Sequence, residues 1–251
     1  ISACLVGSEM CIRDSAQPKR VGNKGSSVSV EAKSKSHSIR AVDALRALIF
    51  AGELPPGSDH LESELAEKLG MSRTPVREAT LVLESQGLLE VRPRKGVRIS
   101  ALSADDMREI YEVLTELESL AASLAAEAHY SEQDLSRLKS ATLEMEASVE
   151  ADDREGWASA DAAFHDELVR LGGNRRIQTI VSNFNDQVRR ARAMTLHMRP
   201  MPRKSNEDHR ALYEAIARGD AKAAREIHWR HRTEAKDMLI NLLNQHGLRR
   251  V

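Results

Sequence analysis

The sequence predicts a mainly α protein: a small N-terminal unit of three helices closed by a β-hairpin, followed by an all-α antiparallel helical bundle. Three observations carry this. Ala, Leu, Glu and Arg abound while aromatics are only 3% of the chain, a mixture that favours helices. Apolar residues recur at helical spacing from Ile39 to about Asn244, broken by short Gly- or Pro-containing connections. One stretch alone, Leu88 to Ile99, has β character, with a turn at its middle.

Composition removes several classes at once. With 41% hydrophobic and 30% charged residues, the 251-residue chain is globular rather than disordered. Apolar runs such as Ala47–Ala51 fall far short of the ~20 residues of a membrane helix, so no membrane partner is expected. Net charge is −1, so any nucleic-acid binding must come from a local basic patch. The two cysteines, Cys4 and Cys11, exclude a disulfide scaffold and suggest a reducing, cytoplasmic setting.

Residues 1–36 lack sustained periodicity and read as a disordered or artefactual N-terminal arm. Ile1–Ser15 resembles translated adapter sequence, and Ala16–Ser36 is rich in Ser, Lys and Gly. Residues 37–100 form the first predicted domain. Val42, Leu45, Leu48 and Ile49 share a helix face that ends at Gly52 and Pro55-Pro56-Gly57. A second helix spans Leu61–Leu69, and Gly70-Met71-Ser72 makes a tight turn. The third runs to about Gln86, capped by Ser72 or by Thr74, with Pro75 then at its first position. Leu88–Val91 and Val97–Ile99 flank the turn Arg92-Pro93-Arg94-Lys95-Gly96. This order outlines a winged helix-turn-helix. Arg73, Arg77, Arg92, Arg94, Lys95 and Arg98 cluster at the third helix and in the hairpin, where a groove and its phosphates would be met.

The stretch LPPGSDHLESELAEKLGMSRTPVREATLVLESQGLLEVRPRKGVRI (Leu54–Ile99) closely resembles the winged-helix domain of the GntR family of bacterial transcription regulators. The resemblance rests on PPG, LA..LG, SRTPVREA, LE..GLL and the RP.KG wing. It implies that Arg73, Thr74 and Arg77 contact an operator, with Ser72 near a phosphate. The wing residues Arg94, Lys95 and Gly96 would join them, Gly96 at the tip in the minor groove. Thr80 departs from a common Leu, a packing difference rather than a change of readout.

Residues 103–246 form the second predicted domain, metal- and effector-binding and helical throughout. Ser103 caps a helix carrying Ile110, Val113, Leu117, Leu120 and Leu124 on one face. Five more helices are expected: Ser131–Val149 with Leu135, Leu138, Leu143 and Met145; Arg154–Leu171; Arg175–His197; Asn206–Ala217; and Asp220 to about Asn244. Asp161 and His165, four apart, lie beside the Trp157–Phe164–Leu168 stripe. His209 shares a face with Leu212, Tyr213 and Ile216; His231 shares one with Ile227, Met238 and Leu242. A buried Asp is costly unless paired or metal-bound, so three imidazoles and a carboxylate on inner faces suggest a metal site. From spacing alone, ordinary buried polar residues remain an equal alternative.

This region resembles the effector-binding FCD domain of the FadR-type branch of GntR regulators, through D..FH (Asp161, Phe164, His165), EDHRALYEAIARGDAKAA (Glu207–Ala224) and WRH (ending at His231). The resemblance implies a divalent metal (Zn, Ni or Mn) on Asp161, His165, His209 and His231, beside an effector pocket. His228 competes with His231, and the motif register favours His231. Such domains often read EVR..LE where this chain reads EVLTELE, with Leu114 in place of the Arg. Arg192 and Asn185, on the stripe of Val181, Phe184 and Val188, are the candidate effector contacts instead. The expected protein is a homodimeric repressor that binds double-stranded DNA at a palindromic operator and responds to a small carboxylate. A DNA-binding dimer with a purely dimerising bundle, or a helical metalloenzyme, are the rivals.

Overall fold

The computed structural model describes residues 26–246 of the chain. The adapter-like segment Ile1–Ser15 and the arm up to residue 25 lie outside the described residues. Helix α1 (Ser26–Phe50) starts well before the expected Ile39. Its first turns, SSVSVEAKSKS, contain no Gly or Pro and no apolar stripe, so helix is permitted there although periodicity does not announce it. Then come β1 (Asp59–His60), α2 (Glu62–Leu69), α3 (Arg73–Ser85), β2 (Leu89–Arg92) and β3 (Gly96–Ile99). Gly70 caps α2 with φ +61°, the left-handed turn between the two central helices. Ser72 takes the cap position of α3 without a side-chain bond, which puts Pro75 within the first turn.

β3 is the central strand of an antiparallel sheet ordered β1-β3-β2. β2 meets it in the register Leu89↔Ile99 to Arg92↔Gly96. The two-residue β1 gave no periodic signal and pairs Asp59↔Arg98 and His60↔Val97. Beneath the sheet, Ala41, Leu45, Ile49, Leu65, Val76, Ala79, Leu83, Leu88 and Val97 form the core of this unit. Thr80 is fully buried and its hydroxyl donates to the Arg77 carbonyl, which removes the cost of a polar group in that core.

The bundle comprises α4 (Ala104–Glu127), α5 (Ser136–Glu150), α6 (Arg154–Leu171), α7 (Arg175–Met194), α8 (Arg203–Ala217) and α9 (Ala221–Gln245), with a short 3₁₀ turn at Leu196–Met198. Ser103 caps α4 by accepting from the Asp106 amide. Two apolar clusters hold it. One is built on Leu138, Met145, Phe164, Leu168, Leu212 and Ile216; the other on Met107, Tyr111, Leu114, Val181, Val188 and Leu239.

The apolar stripe expected on α4 is only partly its core face: Ile110 is buried and Leu117 and Leu124 pack against the core. Val113 and Leu120 are exposed, whereas Tyr111, Thr115, Glu118, Ser119, Ala122 and Ala126 point inward. Small and polar residues make up much of that buried face, so hydrophobic periodicity places its centre to one side of the true one. Leu143 on α5 and Met238 on α9 are likewise exposed, and Leu239 and Leu243 fill the core in place of Met238.

The winged helix docks on α7. Arg46 of α1 donates to Asp186 at 2.7 Å and to the Gln86 side chain at 3.1 Å. Gln187 donates to the Gln86 carbonyl, and Arg190 to the Ser100 carbonyl at 2.7 Å. Gly87 lets the chains approach: a Cβ there would lie 2.3 Å from the Gln187 amide nitrogen.

Candidate metal centre and nucleic-acid interface

Between the two apolar clusters of the bundle lies a polar layer drawn from α4, α6, α7, α8 and α9. Asp161, His165, His209 and His231 are all buried, and one potential ligand atom from each lies within 4.8 Å of the others. His209 Nε2 is 3.4 Å from Asp161 Oδ1 and 3.5 Å from His165 Nε2. His165 Nε2 is 3.7 Å from the same Oδ1. Two donors each ~2.1 Å from an ion at a tetrahedral angle are themselves about 3.4 Å apart, so this spacing suits a first-row divalent metal. Asp161 Oδ1 and His231 Nε2 have no hydrogen-bond partner among the described residues, an arrangement costly to leave unfilled.

The opposite ring nitrogens are held from behind. His209 Nδ1 is 2.8 Å from the Ser205 carbonyl. His165 Nδ1 faces Glu118 Oε2 at 3.5 Å, and His231 Nδ1 faces Asp208 Oδ2 at 3.7 Å. Burial and the neighbouring His231 hold His209 well below the usual histidine range; burial also lowers His231. Both shifts favour the neutral ring, the form in which an imidazole offers a lone pair to a metal. Burial opposes charge on Asp161, but the Arg192 guanidinium and His165 overcome it and keep the carboxyl well below its usual range. Burial likewise opposes charge on His165, and Asp161 with Glu118 turns the balance upward. The donor set of three imidazoles and a carboxylate fits the expected metal. His228 does not join it; it belongs to a second buried group with Glu118 and His165.

Arg192 pairs with Asp161 Oδ2 and donates to the Tyr111 hydroxyl. It also lines a cleft of about 160 Å³ with Arg154, Arg199, Lys204, Trp157 and His231. Lys204 is paired with Asp208. Arg154 donates to the Arg199 carbonyl and Arg199 to the Thr195 hydroxyl, so neither has a carboxylate partner among the described residues. Burial and the adjacent Arg192 push the Arg199 guanidinium down. Asn185 is not part of this cleft. It lies on the outer side of α7, where its amide donates to Asp166 at 3.0 Å. One heptad carries a residue along the same stripe but two turns away, which is why spacing alone grouped it with Arg192. Arg154 and Arg199 escaped sequence reasoning because both sit at helix ends, where no stripe marks an inward face.

On the winged helix, Ser72, Arg73, Thr74 and Arg77 are exposed at the start of α3, and Arg94 and Lys95 at the turn between β2 and β3. Arg73, Arg77 and Arg94 line one shared hollow between α3 and the wing. Arg92 and Arg98 are neutralised by Asp59, with Glu90 also on Arg92. Arg73, Arg77, Arg94 and Lys95 make no ion pair among the described residues. Gly96 is not the tip of the wing, which is Pro93-Arg94-Lys95. It opens β3 at φ +85°, and a Cβ on it would lie 2.2 Å from the His60 carbonyl oxygen. Its requirement is close packing on β1.

A helical unit with four unpaired cations on one surface, joined to a bundle with a buried donor set, defines a DNA-binding transcription regulator with an effector domain. The profile of the bacterial regulatory proteins of the gntR family matches residues 38–99, and that of the FCD domain matches residues 109–234. The chain belongs to the GntR family, in its FadR-type, FCD-containing branch. It is 33% identical over 214 residues to the HTH-type transcriptional regulator LutR of Bacillus subtilis (strain 168), covering 76% of this chain and 96% of that protein. It is 32% identical over 176 residues to the "Probable D-xylose utilization operon transcriptional repressor" of Paenarthrobacter nicotinovorans, covering 70% and 76%. The solved structure of E. coli McbR/YncC shares the fold, with TM-score 0.71 and 22% identity over 82% of this chain and 98% of that one. Among the described residues, no helix is long and apolar enough to cross a membrane.

Proposed function

We propose that this regulator is a homodimeric repressor that reads a palindromic operator and responds to a small organic or sugar acid sensed at a divalent metal. The observation that carries the reading is the adjacency of two features: a buried Asp/His₃ donor set and a cleft lined by two arginines with no carboxylate partner among the described residues. An anion would satisfy Arg199 and Arg154 and reach the metal side of Asp161. The cleft, well below the ~300–1,000 Å³ of drug-sized sites, favours a ligand of few atoms. Asp161, His165, His209 and His231 would hold the metal, and a bound Zn, Ni or Mn ion would supply positive charge for a carboxylate oxygen. Arg192 orients Asp161 by its second oxygen, leaving Oδ1 for the ion.

Ser72, Arg73, Thr74, Arg77, Arg94 and Lys95 supply the operator contacts, with Gly96 fixing the wing. Two-fold protein symmetry mirrors a palindrome. The exposed apolar stripe of α4, Val113 and Leu120, favours burial against a second copy. A coupling of ~1–3 kcal/mol between anion and DNA would change affinity 5–150-fold.

The test is elemental analysis before and after chelation, followed by a thermal-shift screen of small carboxylates on both forms. About one divalent ion per chain, with a carboxylate that stabilises only the loaded form, is the expected result. Absence of metal and of any carboxylate response after metal is restored would reduce the bundle to a dimerisation module.

A further inference from the structure

The second buried group raises a separate question, because three of its atoms are unsatisfied and face one another. Glu118 Oε2 is 3.5 Å from His165 Nδ1 and 3.5 Å from His228 Nε2. None of these three atoms has a hydrogen-bond partner among the described residues. Glu118 and His228 are essentially inaccessible, at 2% and 0% side-chain exposure. A second cation would be one way to fill such a space, but the carboxylate already carries a cation on its other oxygen. Arg232, equally buried, donates to Glu118 Oε1 at 3.3 Å and lies over the Tyr111 ring at 4.6 Å. A dication beside that guanidinium would suffer repulsion in a poorly solvated layer.

His165 resolves the matter, since it belongs to both groups through different atoms. Its Nε2 faces Asp161 and His209, and its Nδ1 faces Glu118. A ring whose Nδ1–H points at a carboxylate presents its lone pair at Nε2, the side of the donor set. His228 is built to hold the carboxylate in place. Its Nδ1 is 2.9 Å from the Ser119 hydroxyl; with that hydroxyl as the donor, the ring carries its proton on Nε2, which faces Glu118 Oε2 at 3.5 Å. Glu118 thus has His165 and His228 facing one oxygen at 3.5 Å and Arg232 donating to the other; a contraction of a few tenths of an ångström would bring both imidazole contacts within hydrogen-bond range.

We propose that Glu118 is the positioning residue of the metal centre, fixing the tautomer and direction of His165, and that His228 and Arg232 anchor Glu118 for that task. This rests on the metal-centre reading above. Glu118 comes from α4, which supplies none of the four donors, so the network ties that helix to the centre.

The test measures Zn²⁺ affinity by competition with a chromophoric chelator, together with the visible spectrum of the Co²⁺-loaded protein. Wild type is titrated first, followed by Glu118→Gln and, so that no lone charge is left buried, Glu118→Gln with Arg232→Met. Circular dichroism records the fold of each. The expected result is one ion per wild-type chain, with affinity about 10–100-fold weaker in both variants and a changed Co²⁺ spectrum at unchanged helicity. Variants that match wild type in affinity and spectrum would overturn the positioning role while leaving the centre intact. Two ions per wild-type chain, one of them lost in His228→Ala, would overturn it in favour of a second cation site. A wild type that takes up no ion would remove both the centre and the role.

Discussion

Replacing Arg73 and Arg77 together by alanine separates the DNA-reading surface from the rest of the molecule. Both side chains are exposed and lack ion partners among the described residues, so each substitution changes stability by no more than about 0.5 kcal/mol. If each arginine makes one bidentate guanine contact, each contributes ~1–3 kcal/mol of discrimination. Two together amount to roughly 2–6 kcal/mol per half-site, or about 30-fold to 10⁴-fold in affinity at 1.4 kcal/mol per decade. The assay begins by selecting a preferred duplex from a random pool with wild-type protein. Fluorescence anisotropy then compares variant and wild type on that duplex and on a scrambled one, at one fixed salt concentration. The selected duplex should lose most of its advantage over the scrambled one. Equal losses on both would mean that the arginines meet phosphates only, with the salt slope reduced by ~0.9 per contact. A folded double variant that binds the selected duplex as wild type does would refute the assignment of α3 as the reading helix.

Three further outcomes follow from the geometry. Gly96→Ala forces a Cβ to within 2.2 Å of the His60 oxygen at φ +85°, so β1 must give way; a lowered denaturation midpoint of roughly 1–3 kcal/mol and weaker DNA binding are expected, and an unchanged midpoint would contradict the packing. His209→Ala removes one of four donors. At zinc a thousandfold above the wild-type Kd, wild type gains ~4.1 kcal/mol, and a variant weakened a hundredfold gains only about 1.4 kcal/mol; equal thermal shifts in the two proteins would count against the site. Arg199→Gln removes a half-buried cation that has no carboxylate partner among the described residues. The ligand-free protein should be as stable as wild type or more so, while the carboxylate-induced shift is largely lost; an undiminished shift would place the anion elsewhere.

Much of this molecule was legible before any coordinates, and the parts that were not share a cause. The α2-turn-α3 unit, the hairpin and the start of α4 follow from turn and capping residues, Gly70 and Ser103 among them, whose local chemistry does not depend on the rest of the chain. The spacing of Asp161 and His165, and the placement of His209 and His231 on stripes, put the donor set within reach. What periodicity could not see was a buried face made of polar and small residues. The inner side of α4 carries Glu118 and Ser119 where Val113 and Leu120 looked the better core, because the layer it joins is held by ion pairs rather than by apolar area. Short β1 and the helix-end arginines Arg154 and Arg199 lacked any pattern to read, their positions being set by tertiary contacts alone. Gly96 was read for its place in the wing motif, whereas its need is the passage of the His60 backbone.

Helix α7 carries two tethers on opposite sides of a single turn. Arg190 grips the Ser100 carbonyl at the exit of the winged helix, and two residues later Arg192 grips Asp161. Two residues are ~200° of rotation and ~3 Å of rise, so the two grips pull the same rod from nearly opposing directions. The contact with the winged helix and the contact with the donor set are therefore separated by the thickness of one helix, not the length of the bundle. Under the proposed function, an anion that loosened Arg192 would relax one side of a clamp whose other jaw is the root of the DNA-binding unit. If that coupling exists, reciprocity requires that an operator-induced change at that root be felt at Asp161 with equal free energy, and a dye or a nucleus placed at either end of α7 would report on both.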